Sequence, residues 1–389
     1  MHFDAIGRVP GDPILGLMEA YAQDSNPRKF DLGVGVYKDA QGLTPIPQSV
    51  KQAELRLVDR QTTKTYIGGH GDAAFGKVIN ELVLGVDSPL IAGKRAGATQ
   101  TPGGTGALRL SADFIAQCLP GRGIWLSNPT WPIHETIYAT AGLKVSHYPY
   151  VGSDNRLDVE AMLATLNLIP KGDVVLLHAC CHNPSGMDLN FEQWKQFAHL
   201  AKEKGFTPLV DMAYQGFGLG LEEDTQGLRY LADQVEEMIL CSSCSKNFGL
   251  YRERIGACSI VTADSKTTDI AKSVLLSVVR SIYSMPPAHG AIIVSHILDS
   301  QELTALWHQE LAVMRNRIND YRQLIIDKFA AEGITQDFSF ITKQHGMFSF
   351  LGINKEQIER LRKEFSIYMV GSSRVSISGL NHSNINYFA

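Results

Sequence analysis

From about residue 100 to residue 262 the chain switches repeatedly between two hydropathic periods. "TGALRLSADFIAQCL" places apolar residues every three or four positions, the spacing of a helix, and "GIWLSNP" follows as a short apolar run bounded by turn formers. A helix near "HETIYATAG", a strand "LKVSHYPY", a helix "DVEAMLATLNLI" and a strand "DVVLLHACC" continue the alternation. "NFEQWKQFAHLAKEKG" reads as a helix with Asn190 as its N-cap and Gly205 just past its end. "TPLVDM", "EEMILCSS" and "ACSIVT" supply three further strands. Strands and helices that alternate in this way predict an α/β fold with a mostly parallel, doubly wound sheet.

The pattern changes in the C-terminal third. "QELTALWHQELAVMRNRINDYRQLIIDKFAAEG" predicts one long amphipathic helix, and "GMFSFLG", the helix "KEQIERLRKEF" and the strand "RVSISG" follow it. This α+β patterning predicts a second, smaller domain. The segment through "FDLGVGVYKD" shows no βαβ unit and is expected to pack on that second domain. The expected division is an N-terminal arm over residues 1–12, a large domain over 45–312, and a small domain built from 13–44 and 313–389.

Composition narrows the functional classes. A chain of 389 residues can bury a large core, and a formal charge of −4 gives no reason to expect nucleic acid or an anionic membrane as partner. No apolar run approaches the roughly 20 residues that span a bilayer. The opening "MHFDAIGRVPGDPILGL" lacks the basic and unbroken apolar regions of a signal peptide, so a cytoplasmic protein is expected. Cys118, Cys180, Cys181, Cys241, Cys244 and Cys258 do not form a disulfide framework pattern, and several sit in apolar runs where cysteine acts as a small hydrophobe.

Ligands of open α/β sheets sit beyond the carboxyl ends of the strands. Here those ends carry Thr105 in "GGTG", Trp131 in "SNPTW", Asn183 in "CCHNPSG", Asp211 and Tyr214 in "LVDMAY", and Lys246 in "LCSSCSK". A glycine-rich turn opening a helix, with Ser243, Ser245 and Arg254 nearby, makes a dianion site of N–H groups, hydroxyls and a guanidinium. A buried Asp211 can hold a heterocyclic nitrogen protonated, Trp131 offers a stacking face, and Lys246 can form a Schiff base. Together these parts describe a pyridoxal phosphate site.

"TPGGTGALR", "SNPTWPIH", "CCHNPSG", "DMAYQGF", "SKNFGLYRERIGA", "YSMPPAHG", "GMFSF" and "SSRVSISG", in this order, resemble the aspartate and aromatic-amino-acid aminotransferases of fold type I. The resemblance runs from "GDPILGL" to the C-terminus. It implies pyridoxal 5′-phosphate bound to Lys246, with that lysine later moving the proton at the substrate Cα. It further implies that Asp211 pairs with the pyridinium nitrogen, that Tyr214 and Asn183 bond the phenolic oxygen, and that Trp131 stacks on the ring. Gly104, Thr105, Ser243, Ser245 and Arg254 would bind the phosphate, with His134 and His178 supporting Asp211. Arg374 would grip the substrate α-carboxylate and Gly35 would close over it. Arg280, for a distal carboxylate, and Tyr66 would reach in from the second subunit of a homodimer. No metal is implied.

Two departures bear on specificity. Ile133 and Met285 stand where the aspartate branch usually carries asparagine, while Lys38, Thr44 and Thr105 look like that branch. The expected activity is therefore transfer of the amino group of tyrosine, phenylalanine, tryptophan and aspartate to 2-oxoglutarate, with a strict aspartate aminotransferase as the alternative. Relatives complete a terminal helix beyond "NINYFA", where this sequence stops, as a truncated chain would. A NAD-dependent dehydrogenase is the more distant reading, but "GGTGAL" is not the G-x-G-x-x-G pattern and does not lie at a first βα turn. A zinc protein built on Cys180, Cys181, His182, Cys241 and Cys244 lacks a second C-x₂-C pair.

Overall fold

Seven strands form the central sheet of the computed structural model, which describes residues 2–5, 7 and 13–389. In chain order they are β1 (Ala96–Pro102), β2 (Gly123–Asn128), β3 (Lys144–Pro149), β4 (Val174–His178), β5 (Thr207–Met212), β6 (Met238–Ser243) and β7 (Ile255–Val261). Their spatial order is β1-β7-β6-β5-β4-β2-β3. All neighbours run parallel except β7, which is antiparallel to both β1 and β6. The sheet is thus the mostly parallel, doubly wound one the hydropathy predicts. Strand β1 is an addition: "AGATQTP" is polar and small, and carries no strand-like hydrophobic period.

Helices cover both faces, which is why the central strands read as continuous apolar runs rather than alternating ones. Val174 and Leu176 of β4 point into one buried cluster with Leu209, Ile239 and Leu108. Val175 and Leu177 point into the opposite cluster with Val210, Leu240, Trp194 and Phe197. Cys241 falls on the first side and Cys180, Cys181 and Cys244 on the second, so the sheet separates the residues of a zinc centre. The helix Phe191–Lys204 starts in a capping box of Asn190 and Gln193 and ends at Gly205 in the left-handed region, as its sequence predicts.

The helix Gln301–Ala331 is 31 residues long and leads from the sheet to a smaller group of elements. There β8 (Phe348–Phe350) pairs antiparallel with β9 (Arg374–Ser376), and Phe30–Asp31 pairs in parallel with Ile367–Tyr368. The main chain of Leu32 bridges both pairs, donating to Tyr368 and accepting from Ser376 at 2.7 Å each. Residues near position 30 are thereby fixed against the C-terminal strands. Most of the expected arm, residues 1–12, lies outside the described residues; His2–Ala5 form a short 3₁₀ turn. Among the described residues no helix is long and apolar enough to cross a membrane.

Candidate active site

The carboxyl ends of β1, β2, β4, β5 and β6 share one edge of the sheet, and β7, running backwards, delivers its first residue to the same edge. A cavity of about 240 Å³ opens there. It is lined by Gly104, Thr105, Trp131, His178, Asn183, Asp211, Tyr214, Ser243, Ser245, Lys246 and Arg254 from the sheet side. Gly35, Phe348 and Arg374 close it from the smaller group of elements.

Asp211 is the penultimate residue of β5 and is buried, 6% exposed. Its Oδ2 accepts a hydrogen bond from Nε2 of the fully buried His134 at 3.1 Å, and Nδ1 of that ring meets the Thr130 hydroxyl at 2.9 Å. The tautomer that satisfies both accepts from Thr130 and donates to Asp211. Burial works to raise the Asp211 pKa, but the hydrogen bond from His134 and the positive charge of Lys246 outweigh it and hold the carboxyl below its ordinary value. The His178 ring packs 5.2 Å from His134, and burial drives its pKa down to about 3. Both of its ring nitrogens are buried without a hydrogen-bond partner.

Lys246 lies in the turn after β6, with Nζ 4.5 Å from the Tyr214 ring centroid. Burial lowers its pKa to about 8 and the positive charges of Arg254 and Arg374 act in the same direction, while Asp211 opposes them. Burial pushes the Tyr214 phenol upward, so it stays a donor. Around the turn, Ser245 N–H donates to Ser243 Oγ at 3.2 Å, and Arg254 Nη1 donates to Ser245 Oγ at 3.3 Å and to the Tyr251 carbonyl at 2.9 Å. The helix Gly103–Cys118 begins here, two residues earlier than its hydrophobic period shows, and no side chain caps its first turn. Gly103 has φ of 75°, and a Cβ there would stand 2.3 Å from Arg254 Nη2.

The other wall is an arginine in a fixed frame. Arg374, 4% exposed, donates through Nη1 to Asn183 Oδ1 at 3.0 Å and through Nη2 to the Gly33 carbonyl at 2.6 Å. Its Nε is buried without a partner, and its guanidinium carbon lies 4.1 Å from the Phe348 ring centroid. That ring also abuts Gly35, where a Cβ would come within 2.7 Å of it.

Most residues singled out in the sequence thus converge on one cavity or stand directly behind it. Tyr66 and Arg280 do not: Tyr66 is 90% exposed, and Arg280 is exposed and bonds the Ser284 hydroxyl. Ile133 and Met285 are half-buried and do not line the cavity. Tyr251 and Phe348 line it without having been singled out. Tyr251 sits midway between Lys246 and Arg254 in "SKNFGLYRERIG", and its hydroxyl accepts the Tyr37 N–H at 2.9 Å. Phe348 reads from sequence as an ordinary core residue.

The residues fit pyridoxal phosphate. An uncapped helix start, two serine hydroxyls and Arg254 make a dianion cradle that a single Cβ at Gly103 would invade. A deprotonated, buried carboxylate and a lysine whose pKa is lowered to about 8 face the same space, and the unpartnered His178 nitrogens lie next to them.

Comparison with known proteins agrees. A family model for aminotransferase class I and II matches residues 27–389. The aromatic-amino-acid aminotransferase of Pseudomonas aeruginosa is 55% identical over 388 residues, covering 100% of this chain and 97% of the relative. The aspartate aminotransferase of Escherichia coli is 50% identical over 384 residues, covering 98% and 97%. The solved aromatic-amino-acid aminotransferase of Burkholderia pseudomallei, covalently bound to pyridoxal phosphate, superposes with a TM-score of 0.98 at 42% identity, covering 100% of this chain and 98% of that one. A cavity built for this cofactor and full-length likeness at this level lead to one conclusion: the chain belongs to the class I and II aminotransferases, and is a pyridoxal-phosphate-dependent enzyme of fold type I.

Proposed function

We propose that the enzyme transfers the amino group of tyrosine, phenylalanine, tryptophan and aspartate to 2-oxoglutarate in the two half-reactions of a ping-pong cycle. The observation that carries this reading is the cavity itself. A lysine amine with pKa near 8, a charged carboxylate and an arginine framed by Asn183 face one space beside a dianion cradle. Relatives named for aromatic substrates and for aspartate match with nearly equal coverage, which supports the pairing of both substrate kinds.

Bound pyridoxal phosphate supplies the electron sink for the pair left at the substrate Cα. The chain does the rest. Lys246 would hold the cofactor through its amine, and that amine, when free and neutral, would take the proton from the substrate Cα as a base. Gly104, Thr105, Ser243, Ser245 and Arg254 hold the phosphate, and Trp131 lies against the ring. Asp211, oriented by His134 and flanked by His178, keeps a proton on the ring nitrogen. Tyr214 and Asn183 bond the phenolic oxygen, Tyr214 as a donor. Arg374 offers the α-carboxylate a planar fork, a geometry lysine does not reproduce, and Gly35 lets the main chain close over it. Arg280 and Tyr66, exposed and outside this cavity, serve the site of a second copy, which makes the working unit a homodimer in the cytoplasm.

Ile133 and Met285, apolar where the aspartate branch carries an amide, lie outside the cavity and would favour aromatic substrates only indirectly, through its surroundings. Lys38, Thr44 and Thr105 favour the second reading, a strict aspartate aminotransferase. Steady-state kcat/KM for aspartate, tyrosine, phenylalanine and tryptophan with 2-oxoglutarate decides between them: undetectable aromatic turnover leaves the strict enzyme.

A further inference from the structure

Arg322 lies on the helix Gln301–Ala331, is 2% exposed, and is among the largest side chains sealed from solvent. Its guanidinium is directed at main chain. Nη2 donates to the carbonyls of Gly346 at 2.6 Å and Phe348 at 2.8 Å, and Nη1 donates to the Ser349 hydroxyl and, at 3.4 Å, to the Ile341 carbonyl. A charge taken this far out of water is a poor source of stability compared with apolar packing. What the arrangement does achieve is a fixed backbone from 346 to 349, the stretch that carries the Phe348 ring.

That ring is the shared support of the carboxylate clamp. It lies under the Arg374 guanidinium at 4.1 Å, against Gly35, and edge-on to Tyr214 with centroids 6.1 Å apart. Strand β8, which begins at Phe348, is also the partner of the strand that begins at Arg374. Moving the backbone of Phe348 therefore moves both the floor of the guanidinium and the strand beside it. Burial pulls the Arg322 pKa down to about 10, which leaves it charged at neutral pH and its donors in place.

We propose that Arg322 is a positioning residue for substrate binding, which fixes Phe348 through its main chain and through Phe348 sets the orientation of Arg374 toward the α-carboxylate. This rests on the reading of Arg374 given above.

The test uses the cofactor-loaded enzyme and 3-phenylpropionate, a carboxylate that lacks the amino group and cannot react. Arg322→Met and Phe348→Leu should each raise KM for aspartate and phenylalanine by about tenfold or more, and weaken 3-phenylpropionate binding in calorimetry by the same factor. The turnover number of Arg322→Met should stay within about threefold, because Arg322 lines no part of the cavity and Lys246 and Asp211 are untouched. The double variant should bind no more weakly than the worse single one, since both act through one ring. If Arg322→Met does not yield folded protein, Arg322→Lys replaces it: a point charge cannot span these acceptors, and the same direction is expected. KM and binding within twofold of the parent in a folded Arg322 variant, or multiplying effects in the double variant, would overturn the proposal. Arg374→Lys separates the two readings. If it leaves KM unchanged, the assignment of Arg374 fails; if it raises KM while the Arg322 variants do not, only this proposal fails.

Discussion

Replacing Asp211 by alanine tests the chemistry at a point sealed from solvent. The carboxylate is 6% exposed, keeps its charge despite burial, and accepts one hydrogen bond from His134 while it lines the cavity. An ion pair made there with a protonated ring nitrogen is shielded from water, and deleting one member of such a pair costs about 3–5 kcal/mol. Taken wholly from the transition state, that is a loss of between about two and three and a half powers of ten in rate. We expect about a thousandfold in kcat, measured by single-turnover decay with aspartate and again with phenylalanine. Both substrates should lose alike, because the proposed partner of the carboxylate is the cofactor ring and not the substrate side chain. His134→Ala is the companion variant. It leaves the carboxylate but removes its hydrogen bond, so burial acts against less opposition and the Asp211 pKa rises. The acid limb of the pH–rate profile should then move to higher pH. An Asp211→Ala enzyme within tenfold of the parent would refute the reasoning, since another acid would have to hold the ring proton.

Lys246→Ala should abolish turnover, and borohydride reduction of the parent enzyme should attach the cofactor at Lys246 when the labelled peptide is sequenced; a label elsewhere rejects the assignment. Because the Lys246 pKa is lowered to about 8, its neutral fraction passes one half at that pH and saturates roughly a unit above it. Cofactor uptake by the cofactor-free enzyme, followed by absorbance, should therefore level off above pH 8, whereas an ordinary lysine would keep gaining toward about pH 10.4. Arg280→Leu should lower kcat/KM for aspartate by about a hundredfold or more and for phenylalanine by less than about tenfold; equal losses would sink the dual-specificity account. Gly103→Ala combines a strained positive φ with a Cβ pressed on Arg254, so equilibrium dialysis should show weaker cofactor binding; unchanged affinity would place the phosphate elsewhere.

Legibility in the sequence followed locality. The strands β4 to β7 announce themselves because two-sided burial makes them nearly continuous apolar runs, and the helix Lys355–Phe365 coincides with its amphipathic stretch. Strand β1 escaped because its contacts are made through small and polar side chains, with Thr99, Gln100 and Thr101 buried by pairing and hydrogen bonds rather than hydropathy. The reversal of β7 leaves no mark on composition. Many of the polar side chains that line the cavity were readable because they interrupt apolar strand ends. Phe348 was not, since an aromatic residue under a guanidinium has the same sequence signature as one in a core. Tyr251 was hidden for a related reason: its task depends on Tyr37, more than 200 positions away.

The reversed strand has a consequence for how the site comes together. Because β7 returns along β6, the turn between them closes on itself, with Ser243 opposite Gly256 and Cys244 N–H bonded to the Ile255 carbonyl at 2.9 Å. Lys246 and Arg254 are therefore neighbours through a short chain loop, whose closure entropy is small. The carboxylate clamp is the reverse case: Arg374 meets Asn183 and Gly33 across 191 and 341 positions. Contacts that span so much chain form late, after the intervening segments have been organised. A refolding chain should accordingly acquire its anchoring half first and could capture cofactor while the clamp is still open. Ligation at that stage favours the ordered sheet by mass action and pulls the remaining chain toward completion. The same separation would let substitutions accumulate in the late half, altering how tightly the α-carboxylate is held, with less disturbance of the early half.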